Sequence, residues 1–196
     1  MKKWQRNFYH FGVGILFPLG YYFGHKPGAT IFISFLLVLI LIFEFERFKR
    51  PGFNRWVFEH LSSLVKSKER FQPIGTTYFL FGVLLTVILF PHHIAIASLT
   101  FLAVGDVAAA VVGERYGRIK ILNKSLEGTI TFFITAFLAG IVLVRLPRMQ
   151  MEGLNFQLVI WGALTATLVE FLSFKIDDNL TVPVLTSLVM KIIARI

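Results

Sequence analysis

A carboxylate inside an apolar segment is costly and marks a place where chemistry is to be sought. Asp106 is the clearest instance, lying in Phe101–Gly113 (FLAVGDVAAAVVG), a run otherwise apolar or small. Around it Gly105, Ala109, Gly113 and Gly117 recur at every fourth position, a spacing that close helix packing explains without any ligand. The carboxylate itself must be paired, metal-bound or neutral. Immediately downstream, residues 113–128 (GERYGRIKILNKSLEG) place Arg115, Arg118, Lys120 and Lys124 with Glu114 and Glu127 among glycines. Glycine permits close backbone approach, Arg and Lys pair with phosphate oxygens, and Lys124-Ser125-x-Glu127-Gly128 opens a helix whose N-terminus favours anions. Asp106 and Glu127 could hold a hard cation such as Mg2+, bridging to phosphate. This is a polyphosphate site in outline.

A further cluster is Glu170 followed by Asp177-Asp178-Asn179-Leu-Thr-Val-Pro183. An Asp or Asn ahead of an apolar helix is an N-cap, which accounts for one of these residues and not for all. Pro183 cannot donate to the carbonyl of Asn179, which leaves a free oxygen beside two carboxylates. Arg6 and His10, spaced i and i+4, fall on the same side as these clusters. His92, His93, Arg145 and Arg148 fall on the other, away from the expected chemistry.

The elements that must position these residues are membrane helices. Of 196 residues, 56% are hydrophobic and 22 are Phe, with a mean hydropathy of +0.71. That excludes a disordered chain and argues against a soluble domain. Apolar runs at about 8–24, 28–45, 73–90, 91–112, 128–146, 154–174 and 179–196 predict an all-α polytopic bundle of about seven transmembrane helices, one membrane-embedded catalytic domain over 1–196. The first run starts basic like a signal peptide, but it carries His10 and Pro18 and lacks a small-residue cleavage site, so it reads as the first span. Lys and Arg concentrate before the first run, in 46–72 and in 113–127, which predicts a cytoplasmic N-terminus and puts the candidate site at the cytoplasmic face. The 46–72 stretch reads as an amphipathic segment on that surface. The net charge of +9 fits this topology and anionic lipid rather than nucleic acid. Absence of cysteine excludes disulfides and thiolate chemistry. Small-residue faces leave a homodimer open.

Four blocks resemble the CTP-dependent lipid-alcohol kinases, the family of dolichol kinase, phytol kinase and yeast-type diacylglycerol kinase. They are Arg6-Asn-Phe-Tyr-His10, with Asn7 where the family has Lys; Glu69-Arg70 through Gly75-Thr-Thr-Tyr78 and Gly82; Gly105-Asp106 through Lys124-Ser125-x-Glu127-Gly128; and Glu170 with Asp177-Asp178-Asn179-Leu-Thr-Val-Pro183. They occur in the family's order from residue 6 to residue 183. The resemblance implies transfer of the γ-phosphate of CTP to a lipid hydroxyl with a divalent cation, and makes Asp106, Lys124, Glu127 and Asp178 the nucleotide and metal residues. On that basis Mg2+ would be held by Asp106 and by Asp177 or Asp178. Arg115, Lys120 and Lys124 would spread the phosphoryl charge, while Asp178 or Glu170 would accept the alcohol proton. Arg6, His10, Ser125 and Asn179 complete the expected nucleotide-binding set. The acceptor is a polyprenol, phytol or geranylgeraniol, or diacylglycerol, entering sideways between helices. The competing expectations are a phosphatidate cytidylyltransferase, and a small ion-coupled transporter whose charges would be spread through the membrane depth.

Overall fold

The computed structural model describes residues 3–61, 65, 67–121, 124–172 and 176–195, with the side chains of 3–9, 67 and 68 outside the description. Among the described residues each of the seven apolar runs carries a helix. They form α1 (Lys3–Phe23), α2 (Lys26–Lys49), α4 (Gly75–Leu89), α5 (His92–Tyr116), α6 (Leu126–Val144), α8 (Phe156–Leu172) and α9 (Asp178–Ile193). Shorter pieces lie between them: α3 (Pro51–His60), a 3-10 turn at Ser67–Phe71, the strands β1 (Lys120–Ile121) and β2 (Lys124–Ser125), and α7 (Pro147–Met151).

α2, α5 and α6 are each long and apolar enough to cross a membrane, while α4 and α8 are apolar but shorter. The outward faces are apolar as well. Ile130, Ile134, Leu138 and Val142 make an exposed stripe along α6, and Phe35, Leu39 and Ile42 do the same on α2. Water would not support such stripes at this extent, and lipid does. The chain is an all-α integral membrane protein.

α5 is the axis of the bundle. It is buried almost continuously from Ile94 to Ala103 and packs on α1, α4, α6, α8 and α9. Its interfaces are close because small residues line them. A methyl group on Gly105 would lie 2.7 Å from the ring of buried Phe132, and one on Gly162 would lie 2.8 Å from Phe101. These contacts take the place that a hydrophobic driving force holds in water.

At one end of the bundle a polar clamp joins the helices. His92 Nδ1 meets Glu152 Oε2 at 2.6 Å, its Nε2 meets the Tyr21 carbonyl at 2.9 Å, and Arg148 Nε donates to Glu152 Oε1 at 3.1 Å. Gly153, at φ +99°, supplies the left-handed turn after α7 that lets Glu152 face α5. Lys26 and Lys191 donate to the carbonyls of Ile88 and Leu89, the last residues of α4, where orphan carbonyls concentrate. Asp106 sits 14 residues beyond His92 on the same helix, roughly 21 Å away at 1.5 Å per residue. The histidines expected to stay out of the chemistry therefore lie at the far end.

At the Asp106 end, the amphipathic 46–72 segment is anchored by fully buried Arg47. Its guanidinium pairs with Glu44 and donates to Asn54 Oδ1 at 3.2 Å and to the carbonyls of Glu69 and Gln72 at 3.0 and 2.7 Å. Glu44 in turn accepts from the N–H of Ile74 at 2.6 Å and from Thr77 Oγ1 at 3.1 Å. The connector is thus hydrogen-bonded to the start of α4, a more specific attachment than surface adhesion. Arg47→Ala should leave Glu44 buried without its cation and cost about 3–5 kcal/mol, read as a marked drop in the thermal unfolding midpoint in detergent. An unchanged midpoint would contradict this role.

Candidate functional site

The site grows from the stripe on α5. α5 does not stop at residue 112 but runs through Gly113 to Tyr116, because the glycines are in contact with α6 and that packing outweighs glycine's poor helix propensity, about 1 kcal/mol. A methyl group on Gly113 would lie 2.6 Å from Ser125 Oγ, and one on Gly128 would lie 2.8 Å from the same oxygen and 3.0 Å from the Ala109 carbonyl. Ser125 is held in this notch as the N-cap of α6, its Oγ accepting from the Gly128 N–H at 3.1 Å.

The segment expected to be a solvated loop contains a small antiparallel hairpin, β1 with β2, pairing Lys120 with Ser125 and Ile121 with Lys124. The hairpin delivers Lys124 into the bundle end. Its Nζ donates to Glu170 Oε1 of α8 at 2.5 Å and to Asp178 Oδ2 of α9 at 3.0 Å. Burial opposes the ammonium charge, but hydrogen bonds and charges from the two carboxylates more than offset this and hold its pKa above the ordinary lysine range. Asp106 lies near enough for its charge to act on both carboxylates.

Asp106, Lys124 and Glu170 border a cavity of about 490 Å³, while Asp178 does not line it and joins the site through Lys124. Three carboxylates (Asp106, Glu114, Glu170) and two lysines (Lys120, Lys124) line it, with Ser125, Gly128 and Thr129 of the α6 N-terminus completing the wall. A volume of this size falls within the range of small-molecule sites, about 300–1,000 Å³. Glu114 was counted in the sequence only as a loop charge; its place on the extended α5 puts it here.

Glu127 and Asp177 are placed differently from Asp106. Glu127 Oε1 accepts from the Arg118 N–H at 2.9 Å, holding the turn into the hairpin, and Asp177 is the N-cap of α9, accepting from the Asn179 N–H at 3.1 Å and Nδ2 at 2.7 Å. Neither lines the cavity. Among the described residues no three His, Asp or Glu side chains gather as a ready-made cation site, so the set Asp106, Glu127, Asp177 and Asp178 is not assembled around one point. Arg115 is exposed on the last turn of α5, over the Tyr116 ring, and does not border the cavity. The Asn179 carbonyl freed by Pro183 packs against Gly82 of α4, where any side chain would collide with it. Arg6 lies in α1 with its side chain outside the described set.

His10 and Asn179 border a second, narrow space of about 60 Å³ between α1, α4 and α5, and Asp106 lines this one too. Glu69 Oε1 accepts from the Gly75 N–H at 3.2 Å, so the Arg47 anchor reaches the α4 start that borders the narrow space. Glu44 and Arg47 were visible in the sequence only as charges at the end of an apolar run. Their i and i+3 spacing was the available sign of a buried pair.

Fold and site together define an integral membrane protein with a charged, nucleotide-sized cavity at one end of a helix bundle. An uncharacterized protein of Rickettsia prowazekii is 30% identical over 185 residues, covering 91% of this chain and 88% of the relative. The CTP-dependent diacylglycerol kinase 1 of Saccharomyces cerevisiae is 26% identical over 216 residues, covering 97% of this chain and 73% of the yeast protein. The probable chloroplastic phytol kinase 2 of Glycine max is 34% identical over 131 residues, 59% of this chain and 44% of that protein. The chain belongs to the CTP-dependent lipid kinase family. No family model and no solved structure matches it.

The Lys124 contacts separate structural from chemical roles. Lys124→Met should remove the cation that Glu170 and Asp178 share and cost about 2 kcal/mol, seen as a lower unfolding midpoint. Adding Glu170→Gln should recover the midpoint without recovering turnover. Recovery of both by the double variant would show that Lys124 does no more than hold the fold.

Proposed function

We propose that the chain transfers the γ-phosphoryl group of CTP to the hydroxyl of a membrane lipid alcohol, assisted by Mg2+, at the cytoplasmic face. The observation that carries this is the 490 Å³ cavity where Asp106, Lys124 and Glu170 converge, in a chain whose relatives include CTP-dependent diacylglycerol kinases and probable phytol kinases. Arg47, Arg55, Arg70, Arg118, Lys120 and Lys124 all belong to the Asp106 end, which by the positive-inside rule supports a cytoplasmic site. Grouping of the intramembrane carboxylates Asp106, Glu170 and Asp178 at one end, rather than along the membrane depth, favours an enzyme over a transporter.

The residues fit a metal held jointly with substrate. Three carboxylates against two lysines give the cavity a negative lining, which a bare polyphosphate would meet with repulsion. Mg2+ typically takes one or two carboxylates and completes its shell with phosphate oxygens and water. Asp106, with Asp178 beside Lys124, would hold it, and when bound it would neutralise charge on the triphosphate. The N-terminal turn of α6 offers its dipole to the phosphates, and Lys120 and Lys124 add positive charge at the cavity wall. The alcohol oxygen attacks the γ-phosphorus, and the bond to the β,γ-bridging oxygen breaks. CDP leaves with the electron pair, and the alcohol proton passes to Glu170 or Asp178. Lys124, hydrogen-bonded to both, sets their positions. Catalysis by such a site is chiefly alignment and charge stabilisation.

Asp106→Asn should abolish transfer of label from γ-labelled CTP to lipid in detergent micelles while the unfolding midpoint stays within about 2 °C, since the exchange keeps shape and hydrogen-bonding capacity. Transfer retained within about tenfold, equivalent to about 1.4 kcal/mol of transition-state stabilisation, would contradict the assignment.

A further inference from the structure

Asp106 stands between two spaces of very different size. On one side is the 490 Å³ charged cavity; on the other is the space of about 60 Å³ between α1, α4 and α5. A nucleoside triphosphate has room in the first and none in the second. The narrow space is a groove of apolar residues, Val13, Phe79 and Val107 among them, with His10, Thr76 and Asn179 as its polar groups. Its walls are set by close contacts. A methyl group on Gly14 would lie 3.2 Å from the Ala103 Cβ, so α1 lies close against α5, and the rings of Phe17 and Phe79 meet edge to face at 5.2 Å where α1 meets α4.

The small volume, the composition and the shared carboxylate select an occupant. A group that enters from the apolar side must be thin, must carry a hydrogen-bonding end, and must reach Asp106 opposite the phosphates. A hydroxymethyl group on one hydrocarbon chain meets all three requirements. The glycerol head of diacylglycerol, with two ester arms, is wider and brings polar carbonyls that the groove's apolar wall would desolvate without compensation. We infer that the groove between α1, α4 and α5 is the acceptor subsite, and that it takes the hydroxyl end of a single-chain, long primary alcohol. Asp106 is then the wall across which acceptor and nucleotide meet. The inference rests on the kinase reading above and adds the location and shape of the acceptor site.

The test uses the full chain in mixed micelles with γ-labelled CTP and either phytol or diacylglycerol as acceptor. Phytol should be the better acceptor. Val13→Phe, which narrows the groove away from the nucleotide cavity, should raise the apparent KM for phytol by about tenfold or more, the scale on which apolar pockets discriminate shape, and leave the KM for CTP unchanged. In the unaltered protein, a diazirine-bearing phytol analogue should label peptides containing residues 10–14 and 75–79, with the label displaced by phytol; this arm does not depend on a variant folding. Label elsewhere, an unchanged phytol KM in Val13→Phe, or diacylglycerol accepted as readily as phytol would overturn the subsite. Transfer to neither alcohol by the unaltered protein would instead remove the kinase reading and this inference with it.

Discussion

The structure depends most on one constraint: a lysine brought into the end of an apolar bundle must be paired. Lys124 meets it with Glu170 of α8 and Asp178 of α9, so one ammonium group joins the hairpin to two helices that are distant in sequence. Taking a charge out of water is costly unless it is paired, and the shared ammonium offsets that cost for both carboxylates. The arrangement that satisfies this constraint also surrounds a cavity, and stability and site geometry therefore have a common origin here.

Close packing makes the pairing possible. Gly113 and Gly128 leave the notch in which Ser125 caps α6, and Gly82 admits the Asn179 carbonyl beside α4. Without those approaches the hairpin and the start of α9 would stand too far apart for Lys124 to reach both carboxylates. The Arg47 anchor does the same at the connector, where hydrogen bonds through Glu44 and Glu69 hold the start of α4 beside the narrow groove.

Much of this was legible in the sequence, for identifiable reasons. Seven apolar runs became helices because their pattern is long and uninterrupted, and Asp106 was conspicuous because a carboxylate in such a run has no bland explanation. The hairpin was not legible: strands of two residues carry no periodicity. The continuation of α5 to Tyr116 was hidden because glycines signal a break until a partner helix is known. Three acidic residues near the helix starts were equivalent as letters, and geometry separates them. Asp178 meets Lys124, Asp177 caps α9, and Glu127 holds the turn into the hairpin. Arg47 was counted only among the basic residues of 46–72, because its bonds beyond neighbouring Glu44, as to the Glu69 carbonyl 22 residues on, leave no local signature.

The account places phosphate chemistry on one side of Asp106 and a lipid hydroxyl on the other, with the nucleotide giving up its terminal phosphoryl group. The most direct measurement incubates the purified chain in lipid micelles with Mg2+ and CTP labelled separately at the α- and γ-phosphates, followed by separation of the lipid products. Label from the γ-position alone, recovered in a phospho-lipid together with soluble CDP, is the predicted result. Label from the α-position in lipid, with release of diphosphate, would mean that the site makes a nucleotide-lipid and would contradict the central claim.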